Sequence, residues 1–452
     1  VQAVRVILIV SAMWGSARAD GVVIIGGSPR AIGRAGVGTA SDDGGGALLV
    51  NPAAMARRQT TRVQLGASFV DDSIEWREAT GAPPARDQSG STTLPFAAVE
   101  SGVGSWVLGA GVMTSTAFER DFASPGRVPP SQFDQMFDDR YAGLAGSYRS
   151  DTVTAGAARR IGESIAVGAS VAVSRVEVGE ARALWASHAQ SAVGDPNQDV
   201  YVALDAIDWA SPSAVAGVLI APPDTHVELA ASISWTAEVH ATGNASAARW
   251  AADPTPGQTP GVTVTGDSGT AQLAVQQPLA IRSAARWAGE RWNAELDGDL
   301  WVYPRPADET SWGLTGIRVV DASGVAADVT QLPSRLSSRS HGAVRGAIDV
   351  ELVEGFLWAT AGYAYTTSST STARLSTTFG ELAGHTAALG LEAAAGGFTI
   401  SLGWARTWST KRAVSGSAWQ HDNPFGAPDA ALPAGSYDGS IDVVGIALDA
   451  ER

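Results

Sequence analysis

The chain has 452 residues, a formal net charge of −15, 45% hydrophobic residues and no cysteine. The charge argues against a nucleic-acid partner, and the missing thiols exclude thiolate metal sites and thiol catalysis. No apolar run reaches the roughly 18 residues of a membrane helix, so a bilayer crossing would need closed β-structure.

The first residues read as an export signal. Arg5 precedes an apolar stretch over 6–14, and Ala17-Arg18-Ala19 offers small residues where a signal peptidase reads, so cleavage is expected after Ala19. The stretch is too short for a membrane anchor, the competing reading. From 20 to about 60 the sequence is dense in glycine, lacks strand alternation and ends in Asn51-Pro52-Ala53.

Fourteen strands are then predicted. They cover 62–76, 92–100, 105–116, 141–160, 164–178, 211–221, 226–242, 270–286, 291–303, 340–352, 356–367, 386–394, 398–408 and 440–449. The ninth can be read as continuing through 312–320, and the fourth as carrying a break at Ser150. Segment 226–239 shows the pattern: Val227, Leu229, Ala231, Ile233, Trp235, Ala237 and Val239 share one face, and Glu228, Ser232, Ser234 and Glu238 the other. Side chains alternate across a strand, so each segment has one apolar and one wet surface. Connections alternate too. Short joints at 102–104, 162–163, 222–224, 289–290, 354–355 and 396–397 suit tight antiparallel turns, while those between them are far longer. Short turns on one rim, long loops on the other and an even strand count describe an all-β, 14-stranded antiparallel transmembrane β-barrel.

Aromatic residues fit two interfacial girdles. Trp106, Trp292, Phe356, Trp358 and Phe398 follow the short turns; Trp76, Trp235, Trp301, Tyr303, Trp404 and Trp408 lie toward the long loops. The competing reading is aromatic packing in a soluble β core.

At Asn51-Pro52-Ala53 the sequence meets a family. Segment 33–56, GRAGVGTASDDGGGALLVNPAAMA, resembles the N-terminal hatch of the FadL/TodX outer-membrane transporters of long-chain fatty acids and other hydrophobic compounds. Those carry a similar "G-x-A … D-x-x … NPA" segment before their first strand. Leu94-Pro95, the long loop over 116–138, and Gly346 with Gly362-Tyr363-Ala364-Tyr365 look similar too. The resemblance spans nearly the whole mature chain. It implies a barrel plugged by its N-terminal hatch, with substrate leaving sideways through the wall. The expected division is a signal peptide over 1–19, a hatch over 20–60 and a barrel over 61–452. The chain departs from the pattern by ending Leu448-Asp449-Ala450-Glu451-Arg452, without a terminal aromatic, and in its 7% aromatic content.

Gly36, Gly38 and 44–46 permit backbone barred to other residues. Pro52 fixes φ and lacks a donor, and Asn51 before it favours extended or turn geometry; an ordinary turn before a strand is the plainer account. Asp42 and Asp43 are expected to anchor the hatch to wall arginines such as Arg282 or Arg286. Glu228, Glu295, Asp297, Asp299, Asp349 and Glu351 line the wet face, either as solvated lumen or as partners for Arg30, Arg34, Arg57 and Arg58. The gating candidates are Asn51, Pro52, Ala53, Gly36, Asp42 and Asp43.

Three signals imitate chemistry. VVIIGGSPRAIGRAG over 22–36 looks like a phosphate-cradling loop, but glycines and Asp42-Asp43 break any helix behind it. Gly266-Asp267-Ser268-Gly269 echoes a protease nucleophile without convincing partners, and reads more simply as a turn. Six scattered histidines form no HxxxH pair, so no metal site or other cofactor is expected.

The function expected is passive transport of hydrophobic small molecules, long-chain fatty acids or related hydrocarbons, across a bacterial outer membrane. The chain is expected to act as a monomer among outer-membrane lipids. Loops over 184–206 and 244–263 are expected to form an apolar entry groove through Leu184, Trp185, Val200, Tyr201, Val202 and Leu204, with plain loop packing as the alternative. A structural barrel that docks other envelope proteins is the competing function, and a barrel hydrolase built on Ser268 a third.

Overall fold

The computed structural model describes residues 28–79, 84–122, 140–187, 196–250, 261–303, 310–415, 422–426 and 434–452. The export signal and most of the 116–138 loop lie outside them. Among the described residues, fourteen strands close the wall. They are Arg62–Glu78 (β1), Thr92–Val103 (β2), Trp106–Asp121 (β3), Ala145–Ile161 (β4), Ile165–Trp185 (β5), Asp199–Ile220 (β6) and Val227–Thr236 (β7). The rest are Leu279–Ala288 (β8), Trp292–Val302 (β9), His341–Val353 (β10), Leu357–Thr366 (β11), Gly384–Ala395 (β12), Phe398–Ser409 (β13) and Gly435–Glu451 (β14). Each pairs antiparallel with the next. β14 returns to β1 from Arg62↔Glu451 to Glu78↔Gly435, so the ring of strands closes on itself.

Alternation decides which side faces out. On β5, Val171 is 65% exposed while the neighbouring Ala172 and Ser170 are buried. The same rhythm exposes Leu229, Ile233 and Trp235 on β7 and turns Glu228 and Ser232 inward. Charge on the outer face would cost a few kcal/mol per residue near mid-bilayer, which keeps the acidic residues inside. The short rim is as expected: Val103↔Trp106 and Ala395↔Phe398 each close a two-residue turn, with Gly104 at φ 62° and Gly396 at φ 60° supplying the left-handed backbone. Trp106, Trp292, Phe356 and Phe398 are exposed near this rim. At the other rim Trp235, Trp404 and Trp408 face out, but Trp76 and Trp301 are buried and point inward, in phase with Ile74 and Asp299. Distance along the strand suggested a girdle for those two; their parity puts them elsewhere.

The seventh and eighth predicted strands are each two elements. The first stops at Thr236 and restarts at Val239; the second stops at Val275 before Gln276-Gln277-Pro278 and restarts at Leu279. Pro278 lacks the donor a continuous strand needs. The segments beyond the breaks, Val239–Arg249 and Thr263–Val275, leave the wall. With Ser311–Val320 they extend the upper half of β6 into an outer sheet, so 312–320 is no continuation of β9. β4 runs through Ser150 unbroken; the irregularity is a bulge in β3 between Thr114 and Thr116, opposite it.

Candidate functional site

Among the described residues, the N-terminal segment from Ser28 folds inside the wall as three short turns of helix. Pro29–Ile32 (α1) starts with proline at its first position, where the missing donor is harmless. Ala47–Val50 (α2) and a 3₁₀ helix over Pro52–Arg57 follow. Between them Ala35 (φ 54°) and Gly36 (φ 85°) reverse the chain. The turn aims successive amides at the wall: Gly38 and Thr39 N–H both donate to Asp297 Oδ2 at 3.0 Å, and Ala40 N–H donates to Glu295 Oε1 at 2.7 Å. Such a concave row of donors holds an anion well.

Arg34 is the centre of this attachment. Its buried guanidinium bridges Glu295 at 2.9 Å and Asp349. A second latch joins Arg57 to Glu228 at 2.8 and 2.5 Å, with Arg286 of β8 on the same carboxylate at 2.7 Å. A third surrounds Asp43 with Arg62 at 3.1 Å, Arg58 at 2.8 Å and Arg30 at 3.5 Å. Burial alone would raise the Asp43 carboxyl, but Arg62, Arg58 and Arg30 together hold it well below the usual carboxylate range. Asp42, bound by Ser28 Oγ at 3.0 Å and Gly44 N–H at 3.2 Å, is pushed up by burial, with Arg30 opposing.

These contacts revise the expected pairing. Asp42 and Asp43 meet Ser28, Arg30, Arg58 and Arg62 instead of Arg282 or Arg286. Of the wet-face acids, Glu228, Glu295, Asp297 and Asp349 do bind the hatch. Asp299 pairs with Arg345 of the wall, and Glu351 with Arg291 beside a short turn.

Asn51-Pro52-Ala53 is a helix cap within the lumen, not a turn at the first strand. Asn51 Oδ1 accepts from Ala53 N–H at 3.2 Å, while its Nδ2 donates to Thr39 O at 2.8 Å and Val218 O at 3.3 Å. The wall makes room with glycine. A Cβ at Gly217 would lie 1.9 Å from Asn51 Oδ1, and one at Gly168 2.5 Å from the Pro52–Ala53 peptide. A glycine inside a strand marks close backbone approach, and that signal was present in the sequence.

The six groove candidates sit in strands. Leu184, Val200, Val202 and Leu204 are buried under the inner face of the outer sheet, and Trp185 and half-buried Tyr201 belong to a neighbouring cluster with Phe122, Tyr141 and Trp250. They do not form an open groove. Ser268 is exposed on the outer sheet and donates to Asp267, while His240 on the adjoining strand stands opposite Ala274.

Open space lies instead above the hatch. A cavity of about 240 Å³ rests on Gly36, Thr39, Leu49 and Val50, and its sides come from β3 to β10. A smaller one of about 40 Å³ lies between hatch residues Pro29, Ile32 and Leu49 and wall residues Leu94, Phe96 and Met113. Higher up, the β11–β12 connection folds inward: Thr377 and Thr378 are fully buried, and Arg120 donates to Thr378 O at 3.2 Å and Gly380 O at 2.9 Å. Nothing in the sequence marked that connection as an inward cap.

The wall itself is incomplete beside the hatch. β2 and β3 pair from Val103↔Trp106 to Phe96↔Met113 and then separate. Above that point β2 stays paired with β1 as far as Thr92, and β3 with β4 as far as Asp121. The bulge at Ser115 turns β3 away, and Pro95 has no N–H to offer across the gap.

The model of the outer membrane protein transport protein family (OMPP1/FadL/TodX) matches residues 10–299. This chain belongs to that family. It is accordingly an outer-membrane transport protein, and the family is one of transporters. No curated protein matches it by sequence. Among solved structures it is similar to a Pseudomonas aeruginosa FadL homologue, with TM-score 0.73 at 13% identity over 95% of this chain and 99% of that one. The Pseudomonas putida toluene transporter TodX gives 0.65 at 14% over 97% and 99%, and the Ralstonia pickettii toluene transporter TbuX 0.63 at 15% over 94% and 98%. At such identities the likeness concerns the fold.

Proposed function

We propose that this family member passes hydrophobic small molecules, hydrocarbons or long-chain fatty acids, through the lumen and out sideways between β2 and β3, under control of the hatch. The observation that carries this reading is the interrupted β2–β3 ladder, backed by apolar hatch residues Pro29, Ile32 and Leu49. Apolar molecules gain nothing from staying in water, and a wall opening delivers them directly to lipid. The FadL homologue, TodX and TbuX have the same fold, and two of them are named as toluene transporters. The hatch seals the route below by its three ionic latches, so transport needs at most a local shift near α1 and α2.

Because the chain has no native cysteine, the gap can be closed at will. Pro95 and Thr114 are the next pair in register beyond Phe96↔Met113. Oxidised Pro95→Cys/Thr114→Cys protein should lose uptake of a labelled hydrophobic probe, and reductant should restore it. Uptake that continues at the reduced rate after verified crosslinking overturns the lateral route.

A further inference from the structure

The cavity above the hatch is unusually polar for a path that carries hydrocarbons. Leu49, Val50 and Val215 give it apolar patches, and Tyr148 and Trp301 bring aromatic rings to its sides. Hydroxyls fill the space between. Ser115 Oγ lies 3.1 Å from Thr152 Oγ1, which lies 2.8 Å from Ser174 Oγ, so these three are mutually satisfied.

Two polar atoms in the same lining are not. Ser211, 1% exposed, has a buried Oγ without a hydrogen-bond partner. Asp299, 8% exposed, gives one carboxylate oxygen to Arg345 and leaves Oδ1 buried without a partner. Buried polar groups nearly always have partners, and a ligand that supplies a missing one gains about a factor of ten in affinity. A carboxylate oxygen accepts only, so whatever satisfies Asp299 must donate. Parity explains the placement: Ser211 precedes Ser213 and Val215 on the inward face of β6, and Asp299 follows Asp297 on that of β9.

We infer that the cavity selects a neutral molecule with a ring-sized apolar body and an O–H or N–H donor, such as a hydroxylated monoaromatic, over the bare hydrocarbon. The donor meets Asp299 Oδ1 or Ser211 Oγ while the ring lies among Leu49, Val50 and Trp301. A bare hydrocarbon of equal size would leave both polar atoms unpartnered. This inference rests on the transport reading above and narrows its substrate class.

The test compares benzyl alcohol with toluene, which share a skeleton and differ by one hydroxyl. Uptake of each labelled compound is measured in porin-deficient cells expressing the full chain, less that of vector-only cells. Benzyl alcohol should exceed toluene by about tenfold. Ser211→Ala and Asp299→Asn should each pull the ratio towards one, and Ser211→Thr, which keeps the hydroxyl, should hold it. Equal or preferred uptake of toluene by the wild type overturns the inference and leaves transport standing. A wild-type preference that neither folded variant lowers also overturns it. Uptake of neither compound above vector removes the transport reading and this inference together.

Discussion

Arg34 shows how a single side chain can seat the hatch. Its guanidinium lies between two buried carboxylates, Glu295 and Asp349, drawn from neighbouring wall strands. Removing one member of such a group leaves uncompensated buried charge, at a cost of about 3–5 kcal/mol. Arg34→Ala should therefore loosen the hatch without unfolding the wall. Planar-bilayer conductance should rise while the shift in electrophoretic mobility on heating is retained; unchanged conductance would remove Arg34 from the latch. Asp43 adds a pH signature. Its folded-state carboxyl lies below the ordinary range, so its contribution to closure is complete above the unfolded value of about 4 and disappears only as pH falls through the lower folded value. The conductance difference between wild type and Asp43→Asn should stay level from about pH 8 to pH 5 and shrink under stronger acid. A difference that vanishes near neutrality contradicts the assignment.

At the scale of elements, the 3₁₀ helix over Pro52–Arg57 carries the family segment, and its cap explains the residue choice. Pro52 occupies the first helical position, where an N–H would go unused, so Pro52→Ala frees φ more than it changes hydrogen bonding. The expected result is intact insertion with an altered rate of ligand uptake. Wild-type rates for several hydrophobic ligands, at matched expression, would make Pro52 a packing residue only.

Legibility varied among the elements for physical reasons. Strands with one lipid face and one wet face, such as β9 and β13, alternate strongly and were readable. The upper part of β5 and β6 was not: Ala183, Leu184 and Trp185 are buried in succession because protein covers both faces, which erases the period. Segment 226–242 merged two strands because Ala237 and Val239 keep the phase across the break, so periodicity alone could not show that the chain leaves the wall. The acidic face of the lumen was readable from β9, and Arg34 and Arg57 were among its expected partners, but which acid each arginine meets was not, since contacts such as Arg34 with Asp349 join positions remote in sequence.

For the whole molecule, the wall closes without help from the hatch: every neighbouring pair of strands is joined by its own ladder, including β1 with β14. Deleting residues 20–56 should leave a folded barrel that is heat-modifiable, has a β-type circular dichroism spectrum and conducts more than the intact protein. An unfolded product would make the hatch part of the scaffold, and an unchanged conductance would deny that it plugs anything.

The β1–β14 seam also constrains how the protein is made. Leu65 of β1 finds Leu448 of β14, and no earlier strand can take that place in the finished ring. The hatch lies upstream of β1 in the chain yet needs Glu228, Glu295 and Asp349 from strands in the middle and later part. Contacts this distant form slowly, because the intervening chain must first be gathered. The plug is thus translated ahead of its socket and must wait, unlatched and with Arg34 and Arg57 uncompensated, until the wall curls round it. That interval exposes a charged, glycine-rich segment to the periplasm before the membrane receives the barrel. Its glycine density and lack of strand alternation disfavour early entry into the sheet.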